Sequence, residues 1–374
     1  MRGVEGDAGR AGNTGVVPLS RDITALRLSA QSIASTGYAT PADVVRGMLA
    51  MQAQDYAGAK WSVGLRVAGG TTDAAIEESL ARGEIVRSWP MRGTLHFVAP
   101  EDLRWMMSIA ADRQRTTAAK RRADLEITDA QLERASELAH EVLSGGRIMR
   151  RDALLDVWET AGVSTAAQRA YHLLWNLGHR SEIVFGPVDG KQPTFALLDE
   201  WIPSSRSLEG DEALGEYALR YFTSHGPATV RDFAWWASIP LGAARIGLAI
   251  AAPSLESRHF DGVEHVMRPG LSAATPAVHA LPGFDEYMLG YQDRSAGLPA
   301  EFADLIVPGN NGIFQPTIVV DGRIVGTWRR TESAKSVRVD ATWFTPPSKR
   351  AVTGFEAAAR RFGRFLGKPV VFGS

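Results

Sequence analysis

The feature that most constrains this chain is a pattern that recurs along it: helices closed by a short hairpin, met three times before the sequence turns to strands. In the first copy a helix is predicted over residues 21–35. A second follows, opened by Thr40 and Pro41, where Thr40 can cap and Pro41 sits at the first helical position, and runs to about Met51. After residues 52–60 come an apolar stretch over 61–67, a break at Gly69-Gly70 and a capped helix over 72–80. Residues 85–98 are rich in strand formers and interrupted by Pro90 and Gly93, which reads as a hairpin with an irregular tip.

The second copy has helices over 129–143, 151–160 and 165–179, strands over 183–185 and 194–198, and 186–192 as the connecting wing. The third has helices over 211–223, 229–238 and 241–251 and strands over 255–260 and 263–267. Arg151-Asp152 with Trp158 in one copy matches Arg231-Asp232 with Trp236 in the next. An offset of about 80 residues is too long for a solenoid repeat and suits tandem small domains. Beyond Pro269 the character changes to strands over 277–281, 314–320, 324–330 and 337–344, with Asp321-Gly322 as a tight turn, then a basic amphipathic helix over 348–366 and a last strand over 370–372. The expected fold is α+β, with three tandem winged-helix domains (21–126, 127–204, 205–270) and a C-terminal antiparallel β-barrel domain with its helix (271–374), behind a disordered Gly-rich tail (1–20).

Composition narrows the function. Lys and Arg total 41 against 42 Asp and Glu, so the chain is not a global polycation and any nucleic-acid surface must be local. Basic residues cluster at Arg113, Arg115, Lys120, Arg121 and Arg122, at Arg147, Arg150 and Arg151, and at Arg323, Arg329 and Arg330. These read as DNA contacts or, patch by patch, as solvated faces. The absence of cysteine excludes a disulfide framework, a thiolate metal site and a cysteine nucleophile, and fits a reducing cytoplasm. No HExxH, Walker or dinucleotide motif is present, so neither metal nor cofactor is expected. No apolar run approaches the roughly 20 residues of a membrane span.

The distinctive segment is Gln52-Ala53-Gln54-Asp55. Two carboxamides one residue apart face the same way only in extended or irregular backbone. An amide can accept from and donate to one water, fixing it in space without taking its proton. The structural alternative has Gln52 and Gln54 satisfying backbone groups at a helix end and Asp55 capping the next helix. Asp285 and Glu286, adjacent in sequence, point to opposite faces on a strand and read as a salt-bridged structural element. His96 can meet phosphate or sugar from its hairpin, or be a hydrogen-bonded core histidine.

Together, Gln52-Ala53-Gln54-Asp55, Arg87-Ser88-Trp89-Pro90-Met91-Arg92-Gly93-Thr94-Leu95-His96, Phe284-Asp285-Glu286-Tyr287, Gly312-Ile313-Phe314-Gln315-Pro316-Thr317 and Gly326-Thr327-Trp328-Arg329 resemble the AlkZ/YcaQ-like family of bacterial DNA glycosylases. The resemblance runs from about residue 21 to the C-terminus. It implies the winged-helix and barrel architecture and a curved DNA-binding surface. It also implies a monofunctional, metal-independent hydrolase that excises N-alkylated (N7 or N3) purines, with interstrand crosslinks and antibiotic self-resistance within the family's range. The family's glutamine-hydrophobic-glutamine motif falls on Gln52, Ala53 and Gln54, the arrangement of the AlkZ-like branch; Asp55 lies one residue beyond the polar position that is aspartate in the YcaQ-like branch. The implied contacts to double-stranded DNA are Arg92, His96, Arg113, Arg115, Arg121, Arg122, Arg323, Arg329 and Arg330, with the Asp321-Gly322 hairpin either probing the minor groove or completing the barrel. The protein is then a cytoplasmic monomer, on the nucleoid when bound. The rival readings are a winged-helix transcriptional regulator and a lesion-binding protein without turnover.

Overall fold

The computed structural model describes residues 19–34 and 37–373, so the expected Gly-rich tail lies outside the described residues up to residue 18, and Leu19 and Ser20 already belong to a helix. In chain order the elements are α1 (Leu19–Ala30); α2 (Pro41–Met48), β1 (Ala50–Gln52), α3 (Tyr56–Gly64), α4 (Asp73–Ala81), β2 (Val86–Met91) and β3 (Thr94–Val98); then a long helix, α5 (Pro100–Asp124). The next group is α6 (Asp129–Leu143), β4 (Met149–Arg150), α7 (Arg151–Thr160), α8 (Arg169–His179), β5 (Ile183–Phe185), β6 (Thr194–Leu197) and α9 (Leu198–Trp201). A third comprises α10 (Gly210–His225), α11 (Val230–Ala237), α12 (Leu241–Ala251), β7 (Glu256–Phe260) and β8 (Val263–Met267). The chain ends with β9 (Val278–Leu281), α13 (Glu286–Leu289), α14 (Ala303–Ile306), β10 (Thr317–Val320), β11 (Arg323–Glu332), β12 (Val337–Trp343), α15 (Lys349–Phe365) and β13 (Val370–Phe372).

Local chemistry explains the helix starts. Thr40 and Asp43 form a capping box on α2, Thr128 and Gln131 one on α6, and Thr229 and Asp232 one on α11. Arg92 and Gly93 both take positive φ at the β2–β3 turn, and Asp321 and Gly322 do so between β10 and β11, the geometry of two-residue hairpin turns. Pro90 is tolerated in β2 because the register against β3 slips between Ser88 and Met91, where no ladder donor is needed.

The groups are not separate beads. The hairpins of the first two merge into one six-stranded sheet, order β1-β3-β2-β5-β6-β4, joined where Arg87 pairs with Phe185. Helix α1 leaves the first group and packs against Phe260, Met267 and Leu271, and its Arg27 donates to the Pro227 carbonyl at 3.0 Å. Met51, Trp61 and Phe97 share one core with Ile318, Trp328 and Phe362 of the C-terminal region.

The expected closed antiparallel barrel is instead an open five-stranded sheet, order β13-β12-β11-β10-β9, in which β13 runs parallel to β12. Helix α15 packs against it: Phe355, Ala359 and Phe362 recur at helical spacing and are buried, with the Phe362 ring 5.3 Å from Trp328 and 5.2 Å from Trp61.

The first group and the C-terminal region are locked by a buried ion pair. Arg66 donates from Nη1 to Asp285 Oδ2 (2.9 Å) and from Nη2 to Asp285 Oδ1 (3.0 Å), and the two side chains are 0% and 1% exposed, so solvent supplies neither with a substitute partner. The remaining donors go to the Gln31 and Ser62 carbonyls and to Gln31 Oε1, and the Ser62 hydroxyl donates to Asp285 Oδ2 at 2.6 Å. Removing one member strands the other charge, so Asp285→Ala is expected to lower the free energy of unfolding by about 3–5 kcal/mol. Chemical denaturation reads this directly; a loss under about 1 kcal/mol would show the pair to be dispensable.

Candidate active site

Strand β1 is the outer edge of the six-stranded sheet, and the glutamine pair lies at its end. Gln52 pairs with His96 of β3, and Ala53 N donates to the Leu95 carbonyl at 2.7 Å, so the backbone stays extended beyond the last strand residue. Gln52 and Gln54 therefore leave the chain toward the same side. Asp55 does what the structural alternative assigns to it: it caps α3, accepting from Gly58 N at 3.0 Å. Gln54 is exposed, and its Oε1 lies 3.4 Å from Leu95 N. Gln52 differs, because its Oε1 is buried and has no hydrogen-bond partner among the described residues. Leaving such an acceptor unsatisfied costs about 1–3 kcal/mol, which packing alone does not explain.

An edge strand presents alternate N–H groups outward, and here the outward donor has a charged partner. Gln52 N donates to Glu286 Oε1 at 3.0 Å. The other carboxylate oxygen accepts from Trp236 Nε1 at 2.8 Å and faces His225 Nε2 at 3.4 Å. Burial by itself would raise the Glu286 carboxyl, but the bonds from His225 and Trp236 and the charge of Arg92 bring it down to about 2, so it is an anion at neutral pH. His225 is held neutral by burial, and its Nδ1 lies 2.8 Å from the Ser224 hydroxyl, consistent with a ring that accepts there and keeps its proton toward Glu286. Asp285 has the salt-bridged structural role expected for the pair, through Arg66, whereas Glu286 contacts the strand that carries the glutamines. Sequence reading placed the Asp285-Glu286 pair on a strand, whereas Asp285 is the N-cap of α13 and Glu286 its first residue. An Asp before an apolar run was the available signal.

His96 is fully buried with both ring nitrogens engaged, so it does not face a DNA backbone as expected. Nδ1–H donates to the Thr94 carbonyl (2.9 Å), and Nε2 accepts from Arg92 Nη2 (2.9 Å). Burial and the neighbouring guanidinium push the ring down to about 3, keeping it neutral. Arg92 also reaches the Leu289 carbonyl at 3.4 Å and lines a cleft of about 440 Å³ together with Arg113, Arg231, Trp235 and Gln292.

The other expected DNA contacts scatter. Arg113 is exposed on α5 and donates to the Ser238 carbonyl at 3.1 Å; the side chain of Arg115 lies outside the described residues. Arg121 is bonded to Gln168 at 2.5 Å and Arg122 is paired with Asp129 at 3.0 Å. Arg323 and Arg329 are exposed on β11, while Arg330 lies 3.6 Å from Asp55. The Asp321-Gly322 tip does not project to probe a groove. Arg350 holds Asp321 through two bonds of 2.7 Å, Tyr287 donates to the Gly322 carbonyl at 2.6 Å, and a Cβ on Gly322 would sit 2.4 Å from Thr24 Oγ1. Completing the sheet is the role that this packing permits. Among the described residues, no three His, Asp or Glu side chains converge to hold a metal ion.

Because His96 is neutral when folded and protonates more readily when unfolded, it opposes folding as pH falls below its ordinary value of 6.5 and does so progressively down to about 3. The stability advantage of the wild type over His96→Gln is therefore expected to shrink by up to about 1.4 kcal/mol per pH unit between those limits. Denaturant titrations at several pH values measure it; an unchanging gap would mean that the folded ring carries a proton.

The sequence model of the AlkZ-like DNA glycosylases matches residues 45–365. An interstrand DNA cross-link repair glycosylase of Streptomyces sahachiroi is 25% identical over 324 residues, spanning 82% of this chain and 87% of that protein. The solved structure of the Streptomyces sahachiroi DNA glycosylase AlkZ has the same mixed α+β fold: it superposes with a TM-score of 0.77 at 23% identity, over 94% of this chain and 99% of that one. A family match that includes the glutamine pair, the β2–β3 hairpin and Glu286 leaves no ambiguity of class, and the chain belongs to the AlkZ-like DNA glycosylases, enzymes that hydrolyse N-glycosidic bonds in DNA.

Proposed function

We propose that the protein is a monofunctional glycosylase for N7- or N3-alkylated purines in double-stranded DNA, bulky adducts and interstrand crosslinks included, and that Gln52 and Gln54 hold the attacking water. The observation that carries this reading is the buried Oε1 of Gln52, without a partner among the described residues, on the residue whose backbone N–H donates to the Glu286 anion. The cross-link activity named for the 25%-identical relative supports the range of lesions. The three helix-plus-hairpin groups act as winged helices that carry the duplex across the shared sheet.

Alkylation at N7 or N3 places a positive charge on the purine. When the C1′–N bond breaks, its electron pair returns to the ring, the base leaves neutral and the sugar becomes an oxocarbenium-like cation. A strong nucleophile is unnecessary. The water accepted by the carboxamide oxygens adds to C1′ and then loses its proton to solvent; a well-oriented reactant can be worth up to roughly 7–11 kcal/mol in favourable cases. Glu286, held at about 2, is an anion at every working pH, and no base is required to take so acidic a proton. Its charge instead favours the cation through space, and its bond to Gln52 N fixes the end of the strand that carries the amides.

Incubation with duplex containing a single N7-methylguanine, scoring released base, tests the reading. Gln52→Ala and Gln54→Ala are each expected to slow release by about 10²–10³-fold, as for loss of one preorganised polar group. Tight binding without release in the wild type would make it a lesion-binding protein, and indifference to the lesion a regulator. With uncharged amides orienting the water and Glu286 titrating near 2, kcat is expected to stay flat between about pH 6 and 9. Release is also expected to survive EDTA; loss on chelation, restored by a divalent ion, would replace this chemistry with a metal-assisted one. Affinity should fall steeply with salt as phosphate contacts are lost.

A further inference from the structure

Two successive residues of α11 divide the labour of the site. Trp236 points inward and donates to Glu286, while Trp235, about 100° around the helix, is half-buried and faces the cleft of about 440 Å³. The Arg294 guanidinium lies 5.0 Å from the Trp235 ring centroid and 5.1 Å from that of Phe314, and Arg92 lies 5.9 Å from Trp235. Arg231 and Arg113 complete the rim; among the described residues Arg231 is exposed and makes no ion pair, and no Asp or Glu lines the cleft itself, the nearest acidic influences being Asp232 on Arg294 and Glu286 on Arg92. Burial lowers the basicity of both Arg92 and Arg294, and Arg294 is lowered further by Arg92, so the guanidinium groups here are crowded. Arg92 joins this cleft to the site already described, since its Nη2 holds His96, the strand partner of Gln52.

A flat aromatic face ringed by cations selects its occupant. An N7- or N3-alkylated purine is itself a cation and would be repelled by the guanidinium groups of Arg92, Arg231 and Arg294 around the indole. An unmodified base meets no such repulsion, stacks on any indole, and brings a phosphate for the arginines. The Glu286 anion lies with the amides, where the cationic lesion gains from it.

The geometry points to the Trp235 cleft as a subsite for an unmodified nucleotide next to the lesion, its base stacked on Trp235 and its phosphate on Arg231, with Arg92 separating it from the alkylated purine at Gln52. The assignment rests on the glycosylase reading above and adds to it the placement of the neighbouring nucleotide.

The test uses the full-length protein and duplexes that carry one N7-methylguanine and a 2-aminopurine immediately 5′ or 3′ of it. Base release by the wild type judges the glycosylase reading by itself. For the subsite, binding of the wild type is expected to change 2-aminopurine fluorescence on one side of the lesion only. Trp235→Ala should abolish that change and raise Kd by about ten- to a hundredfold, the range that removal of a stacking partner gives; Trp235→Phe, which keeps a ring, should restore most of both. Arg231→Gln should reduce the slope of log Kd against log salt by about one. Base release by the wild type, together with a 2-aminopurine signal and Kd that are the same in Trp235→Ala, would overturn the subsite and leave the glycosylase standing. Absence of base release from every lesion, with the Trp235-dependent signal intact, would do the reverse.

Discussion

The architecture depends on two adjacent acids on one short turn. Asp285 is neutralised by Arg66, two residues beyond the end of α3, and caps α13; Glu286, the next residue, accepts from the edge strand that carries the glutamines and from Trp236 of α11. One dipeptide thereby fastens the first, third and C-terminal groups together. Burial of two carboxylates is costly, and here every oxygen has a donor, which is the condition for such a network to rigidify rather than destabilise a core. Its function is geometric: β1 is an edge strand, and among the described residues its outer N–H at Gln52 is held by Glu286, so the position of the amides depends on a residue far away in sequence.

Much of the secondary structure was legible. The Thr40-Pro41 cap, the limits of α7, β5, β8 and β13, and the Asp321-Gly322 turn follow from local rules, because side-chain caps and positive-φ turns are decided within a few residues. Helix α3 was not legible: Gly58 through Gly64 are all buried, so no amphipathic period marks it. The merging of two hairpins at Arg87 and Phe185, and the departure of α1 to the third group, are long-range pairings that no local pattern encodes.

The site shows the same division. The spacing of Gln52 and Gln54 announced an extended backbone, and the chain is extended there. Asp55 was correctly weighed as a helix cap. His96 looked equally suited to phosphate or core, and burial decides for the core. Glu286 was passed over because adjacent acids were read on a strand, and the Trp235 cleft because the arginines that line it come from three separate stretches of sequence. Charge is legible as composition, whereas convergence is a property of the fold.

The bond from Gln52 N to Glu286 spans 234 residues. During synthesis, the strand bearing both amides emerges long before the acid that fixes it, and the ribosome must deliver nearly three hundred residues before that strand end gains its partner. A nascent or truncated chain can therefore carry the complete glutamine motif while lacking the acid that fixes the end of its strand.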